Sequence, residues 1–274
     1  MFDYSQQIER FREEKVRLSD DFLRKLLQHR QANRDRLVSR LAEHLPKTRI
    51  GNSNFYPQGS VAMRTIIQTK YVDEEYDIDD GLVIPKSHLV DAKGGELSAG
   101  EVKEIVRLCL KDDRFKRQPR IFRNCVRVFY ADSDEEKHHV DFPVYRRFEL
   151  TDGSVVRELA SDGSWLVSDP TQINLWFETI IRERNQESAG RGTQLRELVQ
   201  LTKRFCRSRT NSDWDMPNGL KVTMLVCECQ PLFQTRLDLA VRNLFEAIRD
   251  RLGKTKVILN LAHPDRPELT RSKS

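Results

Sequence analysis

Asp77 and Asp79 flank a single residue, Ile78, in the stretch YDIDDGLVIP. On an extended strand, residues two apart leave the same face, which sets two carboxylates about 7 Å apart along it. Aspartate is a poor strand former, and like charges sharing a face repel. The pair therefore calls for water or for a cation. A second strand-like stretch, HHVDFPVY, carries the lone acid Asp141 between Val140 and Phe142. Three carboxylates from two neighbouring strands suit one or two hard cations, Mg²⁺ or Mn²⁺, with positions left open for phosphate oxygens. Such a set lowers the pKa of an attacking hydroxyl and neutralises charge on a transferring phosphoryl group.

Upstream lies Gly59-Ser60 in QGSVAMRT. Glycine lets the backbone approach another group closely, and Ser60 with the amides after it, at a helix start, is placed to hold a triphosphate. Each signal has a plain reading when taken alone. DIDD is a solvated acidic turn after VDEE, Gly-Ser is a common turn pair, and Asp141 is a strand-end carboxylate paired with an arginine such as Arg127. Their convergence favours a site. His138 and His139 are adjacent, so on a strand they point to opposite faces and read as a surface pair. The basic run LKDDRFKRQPRIFR, with Asp112 and Asp113 inside it, reads as a solvated loop rather than a nucleic-acid contact.

The elements that position these residues follow from patterning. Residues 4 to 45 read as helix, with apolar residues at three- and four-residue steps closed by Pro46. Residues 61 to 67 and 78 to 84 read as strands, 88 to 100 as loop, 101 to 110 as helix, and 121 to 130 and 138 to 145 as strands. After Pro170 the pattern is helical, over 171 to 188, 193 to 208, 219 to 230 and 234 to 252. The 274 residues suffice for one large or two small domains with a real core. Net charge is +5, with charged residues at 32%, which fits handling of phosphates without establishing it. No run is long and apolar enough to span a membrane, and the first residues lack a signal-peptide core. The five cysteines, odd in number and in apolar contexts, read as reduced and mostly buried thiols of a cytosolic protein.

The combination QGSVAMRT, YDIDDGLVIP and HHVDFPVY resembles the bacterial cGAS/DncV-like nucleotidyltransferases, a branch of the polymerase-β-like superfamily. The resemblance is strongest from about Phe55 to Tyr145. It continues more weakly through LVQLTKRFCR, NGLKVTMLVCE and ILNLAHPDRPELT. It implies an α+β fold: a mixed sheet with flanking helices and a long N-terminal helix, plus a C-terminal helical lobe, the two lobes flanking an active-site cleft. The implied domains are residues 1–50 as an N-terminal helix packing across both lobes, 51–168 as the catalytic core, and 169–274 as the helical lobe. That lobe is expected to continue past Ser274.

The activity implied is synthesis of a cyclic di- or trinucleotide from NTPs such as ATP and GTP, with two Mg²⁺ or Mn²⁺ ions, in cytoplasmic anti-phage (CBASS) signalling in bacteria. Alternatives within the fold are modification of RNA or protein, or an inactive nucleotide-sensing scaffold. Carried over by the resemblance, Asp77, Asp79 and Asp141 would be metal ligands, with Asp141 also placed to act as general base. Gln58, Gly59 and Ser60 would contact donor phosphates, and Lys203 a phosphate. Arg127 would meet a base or phosphate, and Asp265 a base edge. Asp80, facing the other way, would be structural. Family partners would be a ubiquitin-transfer-like or HORMA-type regulator and a cyclic-nucleotide-activated effector. No zinc thumb for DNA sensing is expected.

Overall fold

The computed structural model describes residues 2–68, 75–130, 137–187, 194–209 and 214–269, the side chains of 184–187 excepted. The N-terminal helical stretch is two helices, α1 (Ser5–Lys15) and α2 (Asp20–His44). Ser19 divides them by capping α2: its side chain accepts a hydrogen bond from the Phe22 amide, with Asp20 and Asp21 in the first turn. After α2 come β1 (Phe55–Gln58), the single helical turn α3 (Gly59–Ala62) and β2 (Tyr76–Pro85). Then follow α4 (Ala99–Leu110), β3 (Arg120–Ile121), β4 (Val126–Tyr130), β5 (His138–Phe142) and β6 (Val144–Glu149). The hairpin β7 (Val155–Ser161) and β8 (Ser164–Val167) precedes four helices: α5 (Gln172–Glu187), α6 (Gln194–Arg207), α7 (Gly219–Glu228) and α8 (Leu237–Lys254).

The strand expected over 61 to 67 does not form. Arg64 has φ 56, a left-handed conformation no strand accommodates, and Ile67 makes only an isolated bridge to Arg17. The hairpin β7–β8 turns on Asp162 and Gly163, both at positive φ, as a two-residue Asp-Gly turn requires.

The chain divides into two compact units. One gathers Ser19–Val61 and Tyr71–Thr171, the other Met1–Leu18, Ala62–Lys70 and Gln172–Ser274. The first holds the mixed sheet. β2 pairs antiparallel with β1 and parallel with both β5 and β6. The register is unbroken across Pro143: Tyr76 faces His138, Asp79 faces Asp141 and Leu82 faces Val144. β5 and β6 therefore run as one strand along a single edge of β2. Proline has no amide to donate to the ladder, yet the Pro143 carbonyl still accepts from the Leu82 amide. The second unit buries Phe177, Val199, Val222, Val226, Ala240 and Leu244 between its helices, against Val16, Met63 and Ile67.

Cys109, Cys125, Cys206 and Cys227 are buried, Cys229 is half-buried, and all five are free thiols. Burial pushes the Cys109 and Cys206 thiols up to about 11, the mark of unreactive packing residues. Among the described residues, no helix is long and apolar enough to cross a membrane.

Candidate active site

The burial of β2 alternates at its start: Tyr76 and Ile78 are buried while Asp77 is exposed and Asp79 half-buried. Asp77 and Asp79 thus share one face, as their spacing predicts. Parallel pairing places Asp77 opposite His139 and Asp79 opposite Asp141. Four ionisable side chains accordingly form a patch of two rows on neighbouring strands. One ligand atom each from Asp77, His139 and Asp141 lie within 4.8 Å of one another.

Asp79 sits beneath the Gly-Ser turn. A Cβ on Gly59 would come within 2.2 Å of Asp79 Oδ2, and Gly59 has φ +65. Both facts require glycine here: the backbone lies against the carboxylate, and the turn is left-handed. Burial raises the Asp79 pKa well above its ordinary value, and the neighbouring Asp77 and Asp141 charges raise it further. A carboxylate whose ionisation is opposed by burial and by like charges is what a divalent cation would relieve, so the donor set fits Mg²⁺ or Mn²⁺.

Arg127 grips Asp141 with two bonds, Nε to Oδ1 and an η-nitrogen to Oδ2, both 2.7 Å. Each carboxylate oxygen keeps a further lone pair for a second partner. Gln58 faces Asp79 across the β1–β2 ladder, and its side-chain amide donates to the Tyr145 hydroxyl at 3.2 Å. Gly81 makes room for that contact: a Cβ there would meet Gln58 Nε2 at 2.7 Å and Tyr145 Cε2 at 3.1 Å. The glycine of DIDDG is therefore set by the glutamine of QGS.

The two histidines are not a surface pair; both are buried. Opposite orientation does hold. His139 Nε2 lies 3.1 Å from Asp77 Oδ1 and its Nδ1 is 2.9 Å from Glu75 Oε2. His138 enters a stack with His29 and Tyr130, its Nε2 2.7 Å from His29 Nδ1. Burial works against the His139 imidazolium, but Asp77 and Asp141 outweigh it and raise its pKa. Asp80 faces the opposite way from Asp79, is fully buried, and takes two 2.6 Å bonds from Arg34 of α2. Sequence reasoning did not single out His139 or Arg34 as functional. The signal for His139 is the strand register, which makes HxD on β5 the counterpart of DxD on β2.

In the basic run, Asp112 draws in Arg36 and Arg114 as ion-pair partners. Lys203 and Asp265 belong to the other unit. Lys203 is buried. Its Nζ donates to the Thr65 hydroxyl at 2.9 Å and to the Thr65 carbonyl at 3.3 Å. Burial and the Arg207 charge lower its pKa to about 7. Asp265 is exposed in the turn after Leu259, its amide bonded to His263 Nδ1.

The mixed sheet thus carries two aspartates on one strand, a third on the neighbouring parallel strand and a glycine turn packed on the middle carboxylate. Residues 53–145 match the family model described as "Cyclic GMP-AMP synthase DncV-like, nucleotidyltransferase domain".

The fold of the whole chain is similar to that of the Vibrio cholerae DncV cyclic AMP-GMP synthase, a prokaryotic cGAS homologue. The TM-score is 0.69 at 14% identity, over 97% of this chain and 84% of that one. The same synthase with nonhydrolyzable GTP matches with TM-score 0.68 at 16% identity, over 92% and 80% of the two chains. Its complex with the linear intermediate 5′ pppA(3′,5′)pG gives 0.65 at 17%, over 91% and 79%.

Proposed function

We propose that this protein is a metal-dependent nucleotidyltransferase that joins NTPs into a cyclic oligonucleotide. The observation that carries the reading is the register of β2 on β5, which sets Asp77, Asp79 and Asp141 on one sheet face with Gly59 seated on Asp79. Asp77, Asp79 and Asp141 would hold Mg²⁺ or Mn²⁺. A bound divalent cation supplies charge neutralisation at the transferring phosphoryl group and acidifies the attacking ribose hydroxyl. Asp141 would accept that hydroxyl's proton, with Arg127 holding its carboxylate in a fixed plane. Gln58, Gly59 and Ser60 would contact the donor phosphates, the last two through backbone amides. Lys203 and Asp265 are proposed nucleotide contacts, the lysine to phosphate and the aspartate to a base edge.

The likeness to a cyclic AMP-GMP synthase supports the cyclic product, and the setting we infer is signalling in anti-phage defence under a dedicated regulator and effector. The test is product analysis by mass spectrometry after incubation with all four NTPs and Mg²⁺ or Mn²⁺. A cyclic oligonucleotide supports the reading. Label found only on added RNA or on protein would replace it with a macromolecule-modifying activity.

A further inference from the structure

His139 lies on the site's own face, opposite Asp77 in the strand register. Its side chain is buried, 7% exposed, so a nitrogen placed there is held by packing rather than by solvent. Its Nδ1 meets Glu75 Oε2 at 2.9 Å. A carboxylate on one ring nitrogen holds the imidazole in a single orientation with the proton on that nitrogen, leaving the other nitrogen as a lone-pair donor. That other nitrogen, Nε2, is buried. Beyond its 3.1 Å ion-pair contact with Asp77 Oδ1, it has no hydrogen-bond partner among the described residues. His139, Asp77 and Asp141 each offer a ligand atom within 4.8 Å of the other two. A buried, oriented ring nitrogen beside two carboxylates has the arrangement of a metal-ligating histidine with its outer carboxylate.

We propose that His139 is a nitrogen ligand of the cation held by Asp77 and Asp141, and that it favours a first-row transition ion such as Mn²⁺ over Mg²⁺. The inference rests on the reading of those aspartates as cation ligands. Its chemical basis is that Mg²⁺ takes oxygen donors and gives up water reluctantly, whereas transition ions accept imidazole. Glu75 is the positioning residue, acting through the ring.

The test is electron paramagnetic resonance of Mn²⁺ on the full-length protein without nucleotide. Titration gives affinity, spin-echo modulation reports nitrogen in the first coordination sphere, and Mg²⁺ competition gives selectivity. The wild type is expected to show ¹⁴N modulation. His139→Gln should lose it, bind Mn²⁺ about tenfold more weakly, and let Mg²⁺ compete better. Glu75→Gln should weaken binding while retaining the nitrogen signal.

Modulation that persists in His139→Gln overturns the inference. So does bound Mn²⁺ without nitrogen modulation in the wild type, a result that needs no variant and stands if the histidine variant fails to fold. If Asp77→Asn abolishes binding in that last case, the carboxylate reading survives and only the histidine assignment falls. If Asp77→Asn and Asp141→Asn both bind Mn²⁺ like the wild type, the carboxylate reading falls and the inference with it.

Discussion

Asp79 and Asp80 are neighbours of identical chemistry, and the structure assigns them opposite consequences. Asp80 is fully buried, and its only described charge partner at bonding distance is Arg34, through two bonds of 2.6 Å. Arg34 itself is 8% exposed and lies 4.9 Å from the centre of the Phe55 ring. Asp80→Asn keeps the shape and removes the charge, leaving a guanidinium in a desolvated site. Breaking a buried pair in this way costs about 3–5 kcal/mol. In a domain of this size each kcal/mol shifts Tm by roughly 2–4 °C, so the variant should melt some ~6–20 °C below the wild type. Removing both charges with Arg34→Met/Asp80→Leu should recover most of the loss, because no isolated charge remains. The assay is thermal unfolding by circular dichroism without nucleotide or metal, for Asp80→Asn, for the singles Arg34→Met and Asp80→Leu, and for the double. The reasoning is refuted if Asp80→Asn melts within about 2 °C of the wild type, or if the double variant is as unstable as the sum of the singles.

Asp79→Asn should instead raise Tm when no divalent cation is present. The raised native pKa means that ionising Asp79 costs stability as pH rises through and above the ordinary carboxylate range, and the amide removes that cost. Melting curves at pH 5 and 8 should show the larger gain at the higher pH, and it should vanish for the wild type saturated with Mn²⁺. Gly59→Ala should cost at least about 1–2 kcal/mol for the left-handed turn. It should also displace Asp79, because the new methyl would overlap its carboxylate; the expected readout is a lowered Tm together with loss of product formation. Lys203 titrates near 7 in the fold but near 10.4 when unfolded. The unfolded chain therefore binds the extra proton between those values, and stability from this group rises as pH goes from about 7 to 10. Lys203→Met should consequently be stabilising at pH 7 and nearly neutral at pH 10 by denaturant titration.

The carboxylates were legible because chemistry imposes spacing: DxD on a strand can serve one face only if one residue separates the acids. Gly59 was legible as a turn, but the reason it must be glycine, the Asp79 carboxylate 2.2 Å from where a Cβ would stand, is a contact between distant segments. His139 and Arg34 depend on pairing partners 62 and 46 residues away that no local pattern specifies. The break between α1 and α2 rests on one serine cap inside an otherwise helical run, which periodicity alone runs through. The hairpin β7–β8 carried its own signal in Asp162-Gly163, a turn that a reading led by acid spacing passes over. The burial of Lys203 was not legible either. Its helix is polar at that position, yet the Thr65 hydroxyl and carbonyl give the ammonium partners inside the core.

The central claim is that the paired aspartates on β2 carry nucleotidyl transfer to a cyclic product. The most direct measurement incubates the wild type and Asp77→Asn/Asp79→Asn with α-³²P-labelled NTPs and Mn²⁺, followed by phosphatase and thin-layer chromatography. The account predicts a phosphatase-resistant product from the wild type that the folded double variant does not make. The same product, formed at the same rate by the double variant, would contradict it.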